Sequence, residues 1–271
     1  MIDYLSIDNF DLVKTMECGQ CFHYEKIGNK RYIVYGQKSV CEIEQLEDSF
    51  YIETDALEYW KSYFALDMNY NVILGYLRNF AEKNNDTFAL KSLEKGNGIR
   101  ILRQPFFETC CSYILSQQNN IPRIRKMVFE LSEKYSKNKG YIAGDEFNCF
   151  PSPNDLKGVS EEEYKNLGFG YRSAYIKDFV ENWDNIIDRV KFDYDSDFNL
   201  LKGCKGIGDK VANCICLYGF EEYDAFPIDV WMKRIIKEEY EDKGKKINIP
   251  EKYAGILQQY MFYTKRLEAR E

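Results

Sequence analysis

The sequence predicts an α+β fold, mainly α, in which an N-terminal antiparallel β-sheet region precedes a helical core. Three observations carry this. Arg31-Tyr-Ile-Val-Tyr35 and Phe50-Tyr-Ile-Glu-Thr54 are rich in β-branched and aromatic residues and are bounded by turn formers such as Gly28-Asn29. From Leu57 onward apolar residues recur at helical spacing. Beyond Pro105 the chain is a series of such segments punctuated by Pro and Gly. At 271 residues it is long enough for one large domain or two ordinary ones. The change in pattern divides it into a β-rich unit with flanking helices, 1–104, and a helical unit, 105–271.

The elements follow in order. Residues 1 to about 55 read as strands. Leu57, Trp60, Tyr63 and Phe64 make one helical stripe, and Val72, Ile73, Tyr76, Leu77 and Phe80 a second. Lys95-Gly-Asn-Gly98 is a loop, and Ile99 to Gln104 a link. Phe106 to Ser116 is apolar at helical period, and Pro122 fits the start of a helix with Ile124, Met127, Val128 and Leu131 on one face. Phe150-Pro-Ser-Pro-Asn154 is a break. Glu161–Leu167 and Ala174–Ile186 read as helices around Gly168-Phe-Gly-Tyr-Arg172. Leu200 to Gly219 holds a glycine-punctuated turn between helices, Val230–Glu239 is helical, and a last helix runs from near Pro250 to the end.

Composition narrows the function. Hydrophobic residues are 45% and charged residues 30%, a globular balance. A net charge of −7 argues against a broad basic surface, although residues 121–140 carry six Lys or Arg against two Glu. The nine cysteines are odd in number and read as reduced thiols. Cys18-x-x-Cys21 with the single histidine, His23, offers three ligands where a structural zinc wants four, and there is no four-cysteine iron–sulfur run, so no metal is expected. No stretch approaches a membrane span, and Met-Ile-Asp-Tyr-Leu carries no targeting pattern. The richness in Lys, Ile, Asn and Tyr suggests an AT-rich prokaryotic genome and a cytoplasmic protein.

The most informative segment is Leu200-Leu-Lys-Gly-Cys-Lys-Gly206-Ile-Gly208-Asp-Lys210. Gly206-Ile207-Gly208 is a tight turn opening a helix, where backbone N–H groups and the helix N-terminus can hold a phosphate without a basic surface. Lys210 falls in the first turn. There a helix dipole and burial disfavour an ammonium ion and favour the neutral amine a nucleophile needs. Taken alone, Lys210 reads more readily as a surface lysine on an exposed turn. Nineteen positions later Ala225-Phe-Pro227-Ile-Asp229 brings an aspartate, preceded by a stiffening proline, to the start of the next helix, where capping is its ordinary role.

Gly-x-Gly-x-Lys followed at this distance by Ile-Asp-Val resembles the helix-hairpin-helix DNA glycosylase superfamily, and within it the bifunctional 8-oxoguanine DNA glycosylase/lyase family. The resemblance implies excision of 8-oxoguanine from duplex DNA, with Lys210 attacking C1′ and Asp229 assisting. Gly19-Gln-Cys-Phe22 is similar to the family's Gly-Gln-Ser-Phe, whose glycine carbonyl accepts the N7 hydrogen that 8-oxoguanine has and guanine lacks. Ser116-Gln-Gln118-Asn-Asn-Ile-Pro-Arg123 is similar to Ser-Ser-Asn-Asn-Asn-Ile-Ala-Arg. It assigns Gln118, a departure from Asn, to the gap left by the flipped base, and Arg123 to the orphaned cytosine. Leu167-Gly-Phe-Gly-Tyr171-Arg172 matches a wedge tyrosine and a second cytosine reader. Tyr253-Ala-Gly-Ile-Leu-Gln258-Gln-Tyr-Met-Phe262 places Gln258 on the base edge and Phe262 on one base face. Cys214 lies on the other face, Pro227 is grouped with these base-binding residues, and Gln259 turns away.

Lys205 replaces a proline and Trp231 stands where relatives can carry histidine. The resemblance implies a monomer acting without a cofactor, with room for a monovalent or divalent cation on the hairpin carbonyls. The rival readings are a glycosylase for alkylated purines and a non-catalytic damaged-DNA-binding protein.

Overall fold

The computed structural model describes residues 2–47 and 49–269. Five antiparallel strands, β1 (Ile2–Leu5), β2 (Tyr24–Lys26), β3 (Arg31–Tyr35), β4 (Val40–Gln45) and β5 (Phe50–Thr54), make the N-terminal sheet in the order β1-β5-β4-β3-β2. Its register sets Tyr32 opposite Ile43 and Ile43 opposite Ile52, so one face buries a continuous apolar row. That face packs with Leu12, Met16, Trp60 and Phe64 as a core of its own.

Helical segments make up the rest, apart from one hairpin. Tyr70–Lys83 and Thr87–Lys95 belong to the same large core as the helices beyond residue 105. Its last helix, Ala254–Glu268, crosses back onto Thr87–Lys95, where the Tyr260 hydroxyl donates to the Ile99 carbonyl at 2.6 Å and Lys91 pairs with Glu268 at 2.5 Å. The sequence expectation that this helix reaches the chain end concerns residues 270 and 271, which lie outside the described residues.

Five local readings are corrected. Leu12–Glu17 is a helix within the stretch read as strands; Asp11 caps it by accepting the Lys14 N–H at 2.9 Å, and Leu12, Thr15 and Met16 are buried. One and a half turns are too few for periodicity to register. Lys139–Ile142 (β6) and Asp145–Asn148 (β7) form an unforeseen hairpin packed on β4. The helix expected over Ala174–Ile186 is two, Arg172–Glu181 and Trp183–Ile187, parted at Asn182, whose amide donates to the Asp178 carbonyl. Val230–Ile235 widens into a π-helical turn over Ile236–Tyr240. In Tyr70–Lys83 the buried stripe is Tyr70, Ile73, Leu77 and Ala81, while Val72 faces out, about 100° around from Ile73.

Helices Tyr194–Lys202 and Asp209–Gly219 are joined by the 203–208 hairpin. Gly206 has φ +80°, and a Cβ there would stand 2.3 Å from Cδ2 of the Tyr175 ring. Gly206→Ala should therefore lower stability by roughly 2–4 kcal/mol, from left-handed strain plus overpacking. A thermal melt checks this; an unchanged Tm would show that the hairpin yields freely.

Candidate active site

The Asp209–Gly219 helix presents half-buried Lys210 in its first turn and buried Cys214 one turn further, on the same face. The Lys210 Nζ lies 5.2 Å from the centroid of the Tyr113 ring. Asp229 caps Val230–Ile235, its carboxylate accepting the Met232 N–H at 2.8 Å. That bond fixes the carboxylate, with buried Pro227 behind it and Val230, 76% exposed, beside it. Both charges act on one thiol. Burial pushes Cys214 up from its ordinary value, the Lys210 ammonium pulls it down, and Asp229 pushes it up again. The net direction is upward, so the thiol stays neutral.

The second part of the site is the turn at Gly19, held at φ +93°. An added Cβ would stand 3.0 Å from Arg266 Nη1, 3.2 Å from Ile121 Cδ1 and 3.8 Å from Phe262 Cε1, so the absence of a side chain brings this backbone against the last helix. Arg266 lies 5.3 Å from the Phe262 ring centroid and donates to the Cys18 carbonyl at 3.1 Å. One turn before Phe262, Gln258 is 4% exposed, and its Oε1 has no hydrogen-bond partner. A buried amide oxygen without a donor costs about 1–3 kcal/mol, which points to a ligand that supplies one. Its neighbour Gln259 is committed internally, accepting from the Tyr218 hydroxyl and donating to the Cys18 carbonyl.

A third group lies on the turn after Phe106–Leu115. Gln118 is exposed at φ +47°, an uncommon conformation for a residue other than glycine. Tyr171, 48% exposed, donates its hydroxyl to the Gln117 carbonyl at 3.3 Å. Arg172 is only 3% exposed; its guanidinium donates to the carbonyls of Gln117, Gln118 and Phe169, so to read a base edge it must exchange these bonds. Arg123 is exposed and donates to the Gly168 carbonyl at 3.1 Å. Tyr175, over Gly206, meets Tyr171 edge-on at 5.8 Å, which links the hairpin to this loop; exposed Gly208 precedes the helix directly.

Sequence reasoning missed Tyr113 and Arg266. Tyr113 sits in a helix buried on nearly every side, where an aromatic reads as core. Arg266 carried a usable signal, since it is four residues past Phe262 on one helix face.

Comparison with known proteins sets this geometry in a family. Residues 4–110 match the 8-oxoguanine DNA glycosylase N-terminal domain, and residues 111–259 match the HhH-GPD superfamily of base excision DNA repair proteins. The N-glycosylase/DNA lyase of Saccharomyces cerevisiae is 30% identical over 89% of this chain and 71% of its own length. The chain belongs to the 8-oxoguanine DNA glycosylase family of the HhH-GPD superfamily. Among solved structures of this glycosylase family, MBOgg1 bound to a low-affinity DNA ligand superimposes with a TM-score of 0.86 at 28% identity, covering 99% of this chain and 96% of that one. The Clostridium acetobutylicum 8-oxoguanine glycosylase/lyase, bound to duplex DNA with cytosine opposite 8-oxoG, gives 0.83 at 29% identity, covering 99% and 98%. No helix among the described residues is long and apolar enough to cross a membrane.

Phe262 stands against the Gly19 turn, its Cε1 3.8 Å from where a Cβ on Gly19 would be. Phe262→Ala should weaken recognition of the damaged base by ~1–3 kcal/mol, seen in single-turnover excision. A variant that melts early and excises normally would make the ring core packing only.

Proposed function

We propose that this chain is a bifunctional DNA glycosylase that excises 8-oxoguanine, preferably opposite cytosine, from duplex DNA and then cleaves the strand through a lysine Schiff base. The observation that carries this is the placing of Lys210 in the first turn of the hairpin helix, one turn before buried Cys214, with Asp229 held as the cap of the helix that follows. A binding module needs neither a nucleophile nor a carboxylate held beside it.

The sequence of events is as follows. Tyr171 and Gln118 enter the stack, and the lesion is flipped out at a cost of a few kcal/mol. Arg123, and Arg172 once its loop carbonyls are exchanged, donate to the orphaned cytosine. The base lies between Phe262 and Cys214 beside Pro227, with its edge on Gln258 and its N7–H on the Gly19 carbonyl. Guanine would set N7, an acceptor, against that carbonyl. The Lys210 amine forms a bond to C1′ as the bond from C1′ to the base breaks. The electron pair leaves with the base, and the proton released by the amine ends on it. Asp229 stabilises the positive charge that develops on the sugar. The nitrogen lone pair of this adduct then expels O4′, which takes a proton, so that the ring opens to a protonated C1′ imine, and loss of a C2′ proton from that imine expels the 3′ phosphate.

The backbone N–H groups of Gly206 and Gly208 hold a neighbouring phosphate. A monovalent or divalent cation would rest on the hairpin carbonyls. The chemistry itself needs no cofactor. The protein acts as a monomer wherever the duplex is, which in a prokaryote is the cytoplasmic nucleoid.

The test is release of free base from duplexes carrying 8-oxoguanine opposite each of the four bases. Fast release opposite cytosine is expected. Equal rates opposite all four would remove the roles of Arg123 and Arg172, and no release opposite cytosine would remove the reading itself.

A further inference from the structure

We propose that Tyr113 is a positioning residue that ties the nucleophile to the recognition turn, its ring flooring the Lys210 amine and its hydroxyl holding the peptide next to Gly19. This rests on the glycosylase/lyase reading and extends it to a residue outside the motifs. Tyr113 sits on Phe106–Leu115, 3% exposed. Its ring centroid lies 5.2 Å from Lys210 Nζ, within the range at which a cation is attracted to a π-system. Its hydroxyl donates to the Gln20 carbonyl at 3.0 Å. Gln20 directly follows Gly19, so this bond fixes the peptide whose neighbour carries the discriminating carbonyl.

The surroundings make Tyr113 a junction. Its ring stacks on Tyr218 at 5.4 Å with 6° between the planes. The Tyr218 hydroxyl bonds Gln259, and Gln259 donates to the Cys18 carbonyl. The two tyrosines therefore hold the carbonyls on either side of Gly19, Cys18 through one and Gln20 through the other. A second donor, the Gln104 amide, reaches the Gln20 carbonyl at 2.9 Å, so loss of the Tyr113 hydroxyl would leave the peptide held by one donor in place of two. Burial pushes the Tyr113 phenol well above its ordinary value, so it remains a donor at any pH the protein would meet. A tyrosine kept only for packing would need neither contact.

The two contacts separate experimentally. Borohydride trapping on a duplex with a preformed abasic site reads the nucleophile without base recognition, whereas release of 8-oxoguanine reads both. Tyr113→Phe removes only the hydroxyl. It is expected to lower the ratio of base release to abasic-site trapping about threefold to tenfold, the worth of one hydrogen bond. Tyr113→Leu also removes the ring and is expected to slow trapping itself. Phe107→Leu trims a buried ring in the same helix and serves as the stability control; it should lower Tm and leave the ratio alone. If both Tyr113 variants melt lower but trap and excise at the wild-type ratio, Tyr113 is core and the inference fails while the glycosylase reading stands. If Tyr113→Leu does not fold, Tyr113→Phe decides alone. Wild-type protein that traps nothing on an abasic site would overturn the underlying reading and this inference with it.

Discussion

Lys210→Gln should remove strand scission and lower release of 8-oxoguanine by on the order of 10³–10⁶-fold, the range seen when a covalent nucleophile is deleted from a site whose other groups remain. The fold should survive. Lys210 is half-buried and meets the Tyr113 ring and the Cys214 thiol, so a glutamine of similar length leaves no buried charge unpaired. Single-turnover excision on 8-oxoguanine opposite cytosine, with circular dichroism as the folding control, checks both halves. A folded variant within about tenfold of the wild-type rate would mean that water, not the lysine, attacks C1′.

Asp229→Asn should separate the two duties of that side chain. Asn caps helices about as well as Asp, so the bond to the Met232 N–H persists and stability should change little. The negative charge beside the reacting sugar is lost, and excision should fall by roughly 10²–10⁴-fold, the usual scale for removing one catalytic group. Asp229→Ala should lose the cap as well, a further ~1 kcal/mol in chemical denaturation. Asp229→Asn that melts early yet excises normally would make Asp229 a cap alone.

How much of this was legible in the sequence differs by part, for physical reasons. β3 and β5 were readable to the residue, because alternating β-branched and aromatic runs between turn formers leave few alternatives. Lys210, Asp229 and Gly19 could be proposed from sequence because each lies in a short motif whose spacing a hairpin or turn enforces. Leu12–Glu17 was not, since six residues give periodicity nothing to count. The β6–β7 hairpin was hidden by polar residues whose pairing is set by packing on β4. Arg172 illustrates a different limit. Motif matching brings it to the right loop, but only the structure shows its guanidinium engaged by the carbonyls of Gln117, Gln118 and Phe169. Tyr113 was the least legible of all, because in a helix buried nearly all round a working aromatic and a packing aromatic look alike.

The most direct test of the central claim is borohydride trapping of the wild-type protein on a labelled duplex with one 8-oxoguanine opposite cytosine, followed by digestion and mass mapping of the adduct. The account predicts a covalent protein–DNA product whose crosslinked peptide contains Lys210. An adduct at another residue, or base release with no adduct, would contradict the Schiff-base mechanism at Lys210.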